Sequence, residues 1–234
     1  MLFPHLHLLK NQNFMSYISL TKISGTALVF ALALTACNSS ETKADDSENI
    51  TQVRNEELED QIEKGRYLIL AGGCHDCHTP KIMTPQGPID DSTKWLAGHL
   101  AGTPLPPIDE KALQPGSWML LSPDLTAFVG PWGISYPANL TSDSATGVGA
   151  WGEETFIKTL RTGKHLGQDD GRPILPPMPW YNLAKMKEED LKAIYAYLKS
   201  TTPISNRVPA PKSPQETAML AKNKQGASMA SNTR

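Results

Sequence analysis

An excess of either sign of charge is nearly missing from this sequence, with 22 Lys and Arg against 24 Asp and Glu. Its formal net charge is −2, and no stripe of Lys and Arg is dense enough to neutralise phosphates. Nucleic acid is therefore excluded as a partner. Aromatic residues are few, at 7%. No apolar run reaches the roughly 20 residues that a bilayer-spanning helix needs; the longest, residues 23–36, stops short of it. Internal repeats are absent as well. What remains is 39% hydrophobic and 20% charged residues over 234 positions, the balance of a globular protein of one or two domains. The 19 Pro and 17 Gly foretell much irregular backbone.

The run at residues 23–36 follows Lys22 and ends in small residues. A basic flank, a short apolar core and a small-residue end describe a secretory signal, so residues 1–36 read as a signal peptide. Beyond it the chain carries −4, because the first 36 residues hold two Lys and no acid. A weakly acidic protein of this kind suits a basic patch on a partner. The segment Leu34-Thr35-Ala36-Cys37 resembles the lipobox of bacterial lipoproteins. That resemblance implies cleavage before Cys37 and acylation of its sulfur and new amino group. More than one acyl chain anchors stably where a single chain binds reversibly. The other reading is an ordinary cleaved signal that leaves Cys37 as a thiol. The lipoprotein reading puts the protein outside the cytoplasm, on the periplasmic side, lipid-anchored to a bacterial membrane. Asn38, where some bacteria use Asp to retain lipoproteins at the inner membrane, leans toward the outer one. Residues 37–55 are polar and read as a flexible tether; residues 212–234, equally polar, read as a disordered tail.

Two cysteines are left, and they fall in Cys74-His75-Asp76-Cys77-His78. C-x-x-C-H is the attachment pattern for c-type haem. On a helical turn, positions i, i+3 and i+4 share one face. Two thiols there can add across the vinyl groups of one haem while His78 sits beneath the iron as proximal ligand. Three other readings compete. A thioredoxin-like dithiol wants a strand-to-helix junction in a βαβ unit, whereas a helical pattern precedes this pair. A structural zinc site wants a second Cys or His pair, which the sequence lacks. A plain disulfide leaves His78 without a part.

The residues flanking the motif resemble the cytochrome c family, over roughly residues 61–211. Ahead of it, residues 55–71 read as an amphipathic helix with Glu56, Glu57, Glu59 and Asp60 at the positive end of its dipole. Within it, Lys64-Gly65-Arg66-Tyr67-Leu68 is similar to the family's first helix, whose Gly lets the last helix cross closely. After the motif, Thr79-Pro80 is similar to the family's C-H-T-P. There a Pro carbonyl accepts the proximal imidazole's N–H, which implies that part for Pro80. Residues 187–200 read as the last helix, with Leu191, Ile194, Tyr195 and Leu198 as its apolar stripe and Pro203 ending it. Lys187 stands where the family has a capping Ser, Thr or Asp. Tyr195 or Tyr197 is expected to pack across Gly65.

A saturated iron passes electrons, whereas an open one binds gas or peroxide, so the distal ligand decides function. Met178 lies in Leu175-Pro176-Pro177-Met178-Pro179-Trp180, where the family places its axial Met ahead of a helix. Its thioether is a soft ligand that favours reduced iron. The competing role is core filling. Met119 is a second candidate, although Trp118-Met119-Leu120-Leu121 reads as buried packing. His99 and His165 would give bis-histidine ligation. His75 reads as an exposed residue inside the motif.

Asn139-Leu140-Thr141 through Trp151, then Phe156-Ile157-Lys158-Thr159-Leu160-Arg161-Thr162-Gly163, is similar to one subgroup of that family. These are the cytochrome c subunits that accompany periplasmic dehydrogenases, which often carry several attachment motifs where this chain has one. Residues 153–161 read as a short helix that Gly163 closes. Residues 80–139 contain ten Pro and no helical period. Trp95, Trp118, Phe128, Trp132 and Tyr136 argue that this stretch is ordered. It reads as an insertion that wraps the haem edge or docks a partner, or simply as extra core cover.

The sequence thus predicts a mostly α cytochrome c fold over residues 56–211. Three principal helices surround one covalent haem c, with a long Pro-rich insertion at about 80–139. It predicts an electron carrier with His78 and Met178 as axial ligands and no catalysis of its own. A dehydrogenase, an oxidase or another cytochrome would be its redox partner. The alternative is a haem enzyme or gas sensor with an open distal position.

Overall fold

Helix α1, Thr42–Ala71, opens the part of the chain that the computed structural model describes, residues 42–231. The elements below belong to the unit Ala44–Arg234. The expected signal peptide and the lipidation candidate Cys37 lie outside the described residues. The α1 helix begins well before residue 55, so the stretch read as a tether is helical from Thr42 on. Residues 50–60 are exposed, and only the last third of the helix is covered, at Gly65, Leu68 and Ile69. Charged residues with good helix propensity carry the exposed turns through solvent.

After α1 come α2 (Cys74–His78) and an antiparallel hairpin of β1 (Lys81–Thr84) and β2 (Gly87–Asp90). A three-stranded antiparallel sheet follows, β3 (Leu120–Leu121), β4 (Phe128–Gly130) and β5 (Gly133–Ser135). The chain then turns helical, with α3 (Glu153–Thr162), α4 (Trp180–Leu183), α5 (Glu188–Ser200) and α6 (Pro214–Ser231). Gly163 closes α3 in the left-handed conformation. Lys187 begins α5 without a side-chain cap, leaving Glu188, Glu189 and Asp190 to meet the helix dipole.

Helices α1, α3 and α5 share one core. Ile69, Leu96, Val148, Phe156, Leu160, Leu191, Ile194 and Leu198 form it. The α1–α5 crossing is very close: a Cβ on Gly65 would lie 2.0 Å from the carbonyl oxygen of Ala193 and 2.8 Å from Cβ of Tyr197. Of the two tyrosines expected at this crossing, Tyr197 is the one that meets it. The Tyr195 hydroxyl instead donates to the Trp151 carbonyl at 2.8 Å.

A second core joins two stretches that the sequence keeps far apart. Ile108, Ala112, Val129 and Ile134 of the insertion pack with Ala221 of α6. Ile134 and Lys212 exchange backbone hydrogen bonds of 2.9 and 3.0 Å. The expected disordered tail is therefore an ordered helix over Pro214–Ser231. Its physical reason is a reciprocal cap: Glu216 Oε2 accepts from the Ser213 amide at 2.7 Å, and Ser213 Oγ accepts from the Glu216 amide at 3.2 Å. Pro214 at the first helical position fits the same start. Polar composition hides a helix that buries Thr217 and Ala221 completely.

The insertion is ordered, yet one expectation about it fails. Trp118 is 90% exposed, with Met119 and Leu121 also exposed, so this segment is not buried packing. Only Leu120 turns toward the second core, because side chains alternate along a strand.

The Gly65 crossing yields a test. A Gly65→Ala change should lower stability by on the order of 1–3 kcal/mol through overpacking, more than alanine gains in helix propensity. Denaturant unfolding of the mature protein measures it; an unchanged midpoint would mean that the two helices do not cross there.

Candidate haem site

Gly73, in the left-handed conformation with φ 65°, turns the chain from α1 into α2, and the Cys74 amide begins a single helical turn. That turn sets Cys74, Cys77 and His78 on one face, as the i, i+3, i+4 spacing requires. The two thiols form no disulfide with each other. Burial raises both above the ordinary thiol range, and the Asp76 carboxylate adds to the rise. They are thus mostly protonated near neutral pH, unlike the low-pKa nucleophile of a dithiol redox pair.

His78 is buried. Its Nδ1 meets the carbonyl oxygen of Ala138 at 2.8 Å. With Nδ1 donating there, the lone pair is on Nε2, the nitrogen that remains for a metal. Burial also holds the imidazole below its ordinary range, which keeps it neutral and able to ligate. Pro80, expected to supply this carbonyl, does not. Its oxygen accepts instead from the Asp91 amide at 2.9 Å, because the chain turns straight into the β1–β2 hairpin. The role passes to a residue sixty positions on from the histidine.

Three contacts bring that residue in. The Gly98 amide donates to the His78 carbonyl at 2.8 Å, the His99 amide to the Pro137 carbonyl at 3.1 Å, and the Leu96 amide to Thr79 Oγ1 at 3.0 Å. Gly98 has φ 73°, and a Cβ there would lie 2.5 Å from the Pro137 oxygen. The three segments at 78–79, 96–99 and 137–138 therefore lock edge to edge. Nothing in the side chains of Pro137 or Ala138 announces a ligand-orienting carbonyl, which is why the sequence does not reveal it.

Met178 is half-buried against the first core, the same cluster that Cys74 joins. Its loop is held at both ends. Ser135 Oγ donates to the Pro176 carbonyl at 2.5 Å. On the other side, Trp180 lies over Gly163, and the Ile174 amide donates to the Gly163 carbonyl at 2.8 Å. Met119 is 58% exposed at the edge of the three-stranded sheet, away from this cluster. His99 is buried with Nδ1 against Thr126 Oγ1 at 2.8 Å, and the Thr126 hydroxyl donates to Asp124 Oδ2 at 2.6 Å. His165 meets the edge of Trp151. His75 is not the exposed residue expected: it is half-buried beside Trp95, with ring centroids 5.4 Å apart. Its Nδ1 is buried without a hydrogen-bond partner.

Two thiols on one face, a neutral imidazole with Nε2 available and a thioether on the same apolar cluster make a donor set that fits haem. Asp143, by contrast, spends its Oδ1 on the Thr146 amide and hydroxyl at 2.7 and 2.6 Å, an Asx turn rather than a calcium loop.

Residues 62–202 match the family model of cytochrome c. Over 149 residues the chain is 30% identical to one of the subunits of nicotinate dehydrogenase from Pseudomonas putida, covering 64% of this chain and 9% of that protein. Over 136 residues it is 29% identical to the gluconate 2-dehydrogenase cytochrome c subunit of Pantoea cypripedii, covering 58% and 22%. The fructose dehydrogenase cytochrome subunit of Gluconobacter japonicus is 27% identical over 137 residues, covering 58% and 20%. The chain thus spans less than a quarter of the length of these relatives. The family match implies covalently bound haem c, and one attachment motif makes it one haem.

Burial holds His99 below its ordinary 6.5, against the pull of Asp124. Folded His99 stays neutral where the unfolded chain is already protonated, so its stabilising effect is complete above about pH 6.5 and is lost as pH falls below it. His78 and His165 shift the same way for the same reason. His99→Gln should therefore lose less melting temperature between pH 7 and pH 5 than the wild type does. Equal losses would remove His99 from the acid response.

Proposed function

Because this chain belongs to the cytochrome c family, we propose that it is a single-electron carrier whose haem is held by Cys74, Cys77, His78 and Met178. Cys74 and Cys77 would hold the haem through thioethers, and His78 Nε2 and Met178 Sδ would be the donors to its iron. A haem held there would supply one-electron exchange between a donor and an acceptor. The chain's own part is to keep that exchange easy. Ala138 fixes the plane of the His78 ring, and the Ser135 and Gly163 contacts hold the Met178 loop, so little rearranges when the charge changes. Haem enzymes instead leave a distal position open.

The observation that carries this reading is the His78–Ala138 hydrogen bond beside two unpaired thiols. It prepares an imidazole for a metal and serves no evident purpose in a dithiol protein. The relatives' names support the partner class, since they place such domains with dehydrogenases. We therefore propose a dehydrogenase as electron donor, with an oxidase or another cytochrome as acceptor. An exported protein, anchored through Cys37 on the periplasmic side, suits those partners and follows from the lipobox-like segment.

The axial pair is tested by Met178→Ala. The ferric protein should lose its sulfur-to-iron charge-transfer absorbance, its potential should fall, and added imidazole or cyanide should bind readily. A variant that keeps the absorbance would remove Met178 from the iron and turn attention to the remaining methionines.

A further inference from the structure

Lys81 is a cation where few cations sit. Its side chain is 6% exposed. The ammonium has three protons, and three oxygens meet it: the His75 carbonyl at 3.0 Å, the Thr79 carbonyl at 2.7 Å and Asp90 Oδ1 at 2.7 Å. Two of these belong to the backbone that runs through and just past Cys74–His78. The third stands directly across the β1–β2 hairpin, where Lys81 pairs with Asp90 in register. Asp90 is 30% exposed and lies 3.9 Å from His75 Nε2. The hairpin forms because Thr84-Pro85-Gln86-Gly87 turns tightly, with Thr84 Oγ1 accepting the Gln86 amide at 3.2 Å and Gly87 at φ 116°.

A helix C-terminus commonly attracts a lysine, and that alone would explain one hydrogen bond. It does not explain why the lysine is buried, or why a carboxylate is built opposite it. Charges removed from water act over longer range than surface charges, because neither solvent nor salt screens them well. A positive charge near iron favours the ferrous state, and a negative charge favours the ferric state.

Resting on the reading of this site as an electron-transfer haem centre, we propose that Lys81 and Asp90 are an opposed charge pair that sets the haem's reduction potential. Lys81 raises it, Asp90 lowers it, and the hairpin register holds the two in balance. Both act on the iron through the field at the Cys74–His78 turn and neither touches it. They are positioning residues, distinct from the ligands.

The test is spectroelectrochemical titration of the full-length mature protein at neutral pH, at low and high salt. Lys81→Gln should move the midpoint down, Asp90→Asn should move it up, and the double variant should return close to the wild type. Lys81→Arg, which keeps the charge, should stay near the wild-type value. The Lys81 shift should survive high salt, because its side chain is buried, and the Asp90 shift should survive in large part, because its carboxylate is partly covered. A merely structural pair gives a different pattern: both single variants shift the same way, or lose the methionine-type absorbance, and the double variant does not recover. That pattern, or the absence of any shift, overturns the proposal. Wild-type protein that matures without haem would instead overturn the reading of the site, since no midpoint could then be measured.

Discussion

The direction of one imidazole governs everything else at this site. His78 Nδ1 meets the Ala138 carbonyl, and that contact alone fixes which ring nitrogen is left over for a metal. The bond spans sixty residues, so it cannot form until the insertion has folded back over the motif. Three amide hydrogen bonds at Leu96, Gly98 and His99, one of them to the Thr79 hydroxyl, bring the segments together, and the buried Asn206 clamps the stretch from Ala97 to Ala101. Its side chain donates to the Ala97 and His99 carbonyls at 2.8 and 2.9 Å and accepts from the Ala101 amide at 2.9 Å. The long insertion is thus part of the imidazole's support.

The two cores divide the work. The first joins α1, α3 and α5 with Cys74 and Met178 at its margin, so one thiol of the motif and the distal candidate share one apolar body. The second belongs to the insertion and α6 and has no residue of the attachment motif in it. Ser135 connects them, since it lies on the sheet of the second core yet holds the Pro176 carbonyl of the Met178 loop. Burying the tail helix against the sheet steadies the loop at one remove.

Periodic and local signals are legible in the residues. The stripe of α5, the closing Gly163 and the close approach at Gly65 all follow from side-chain spacing or from a missing Cβ. So does the helical face of Cys74, Cys77 and His78. What escapes has common physical causes. The Ala138 carbonyl is backbone, and backbone acceptors carry no residue code. Hydrophobicity alone assigns Trp118 to the interior, and it cannot tell a strand's two faces apart when only Leu120 has a core to meet. Helix α6 is masked by its polar composition, although Ser213-Pro214-Gln215-Glu216 spells a capping box that outweighs it. Lys81 and Asp90 stay hidden without a hairpin register, which the turn at Pro85 and Gly87 supplies.

All of this converges on one haem joined to two sulfurs next to a prepared imidazole. Peptide-level mass measurement of the chain, produced in cells competent for haem attachment, asks that directly. The account predicts one haem's added mass, carried entirely by the fragment containing Cys74 and Cys77. A colourless chain with the bare polypeptide mass on that fragment would contradict it.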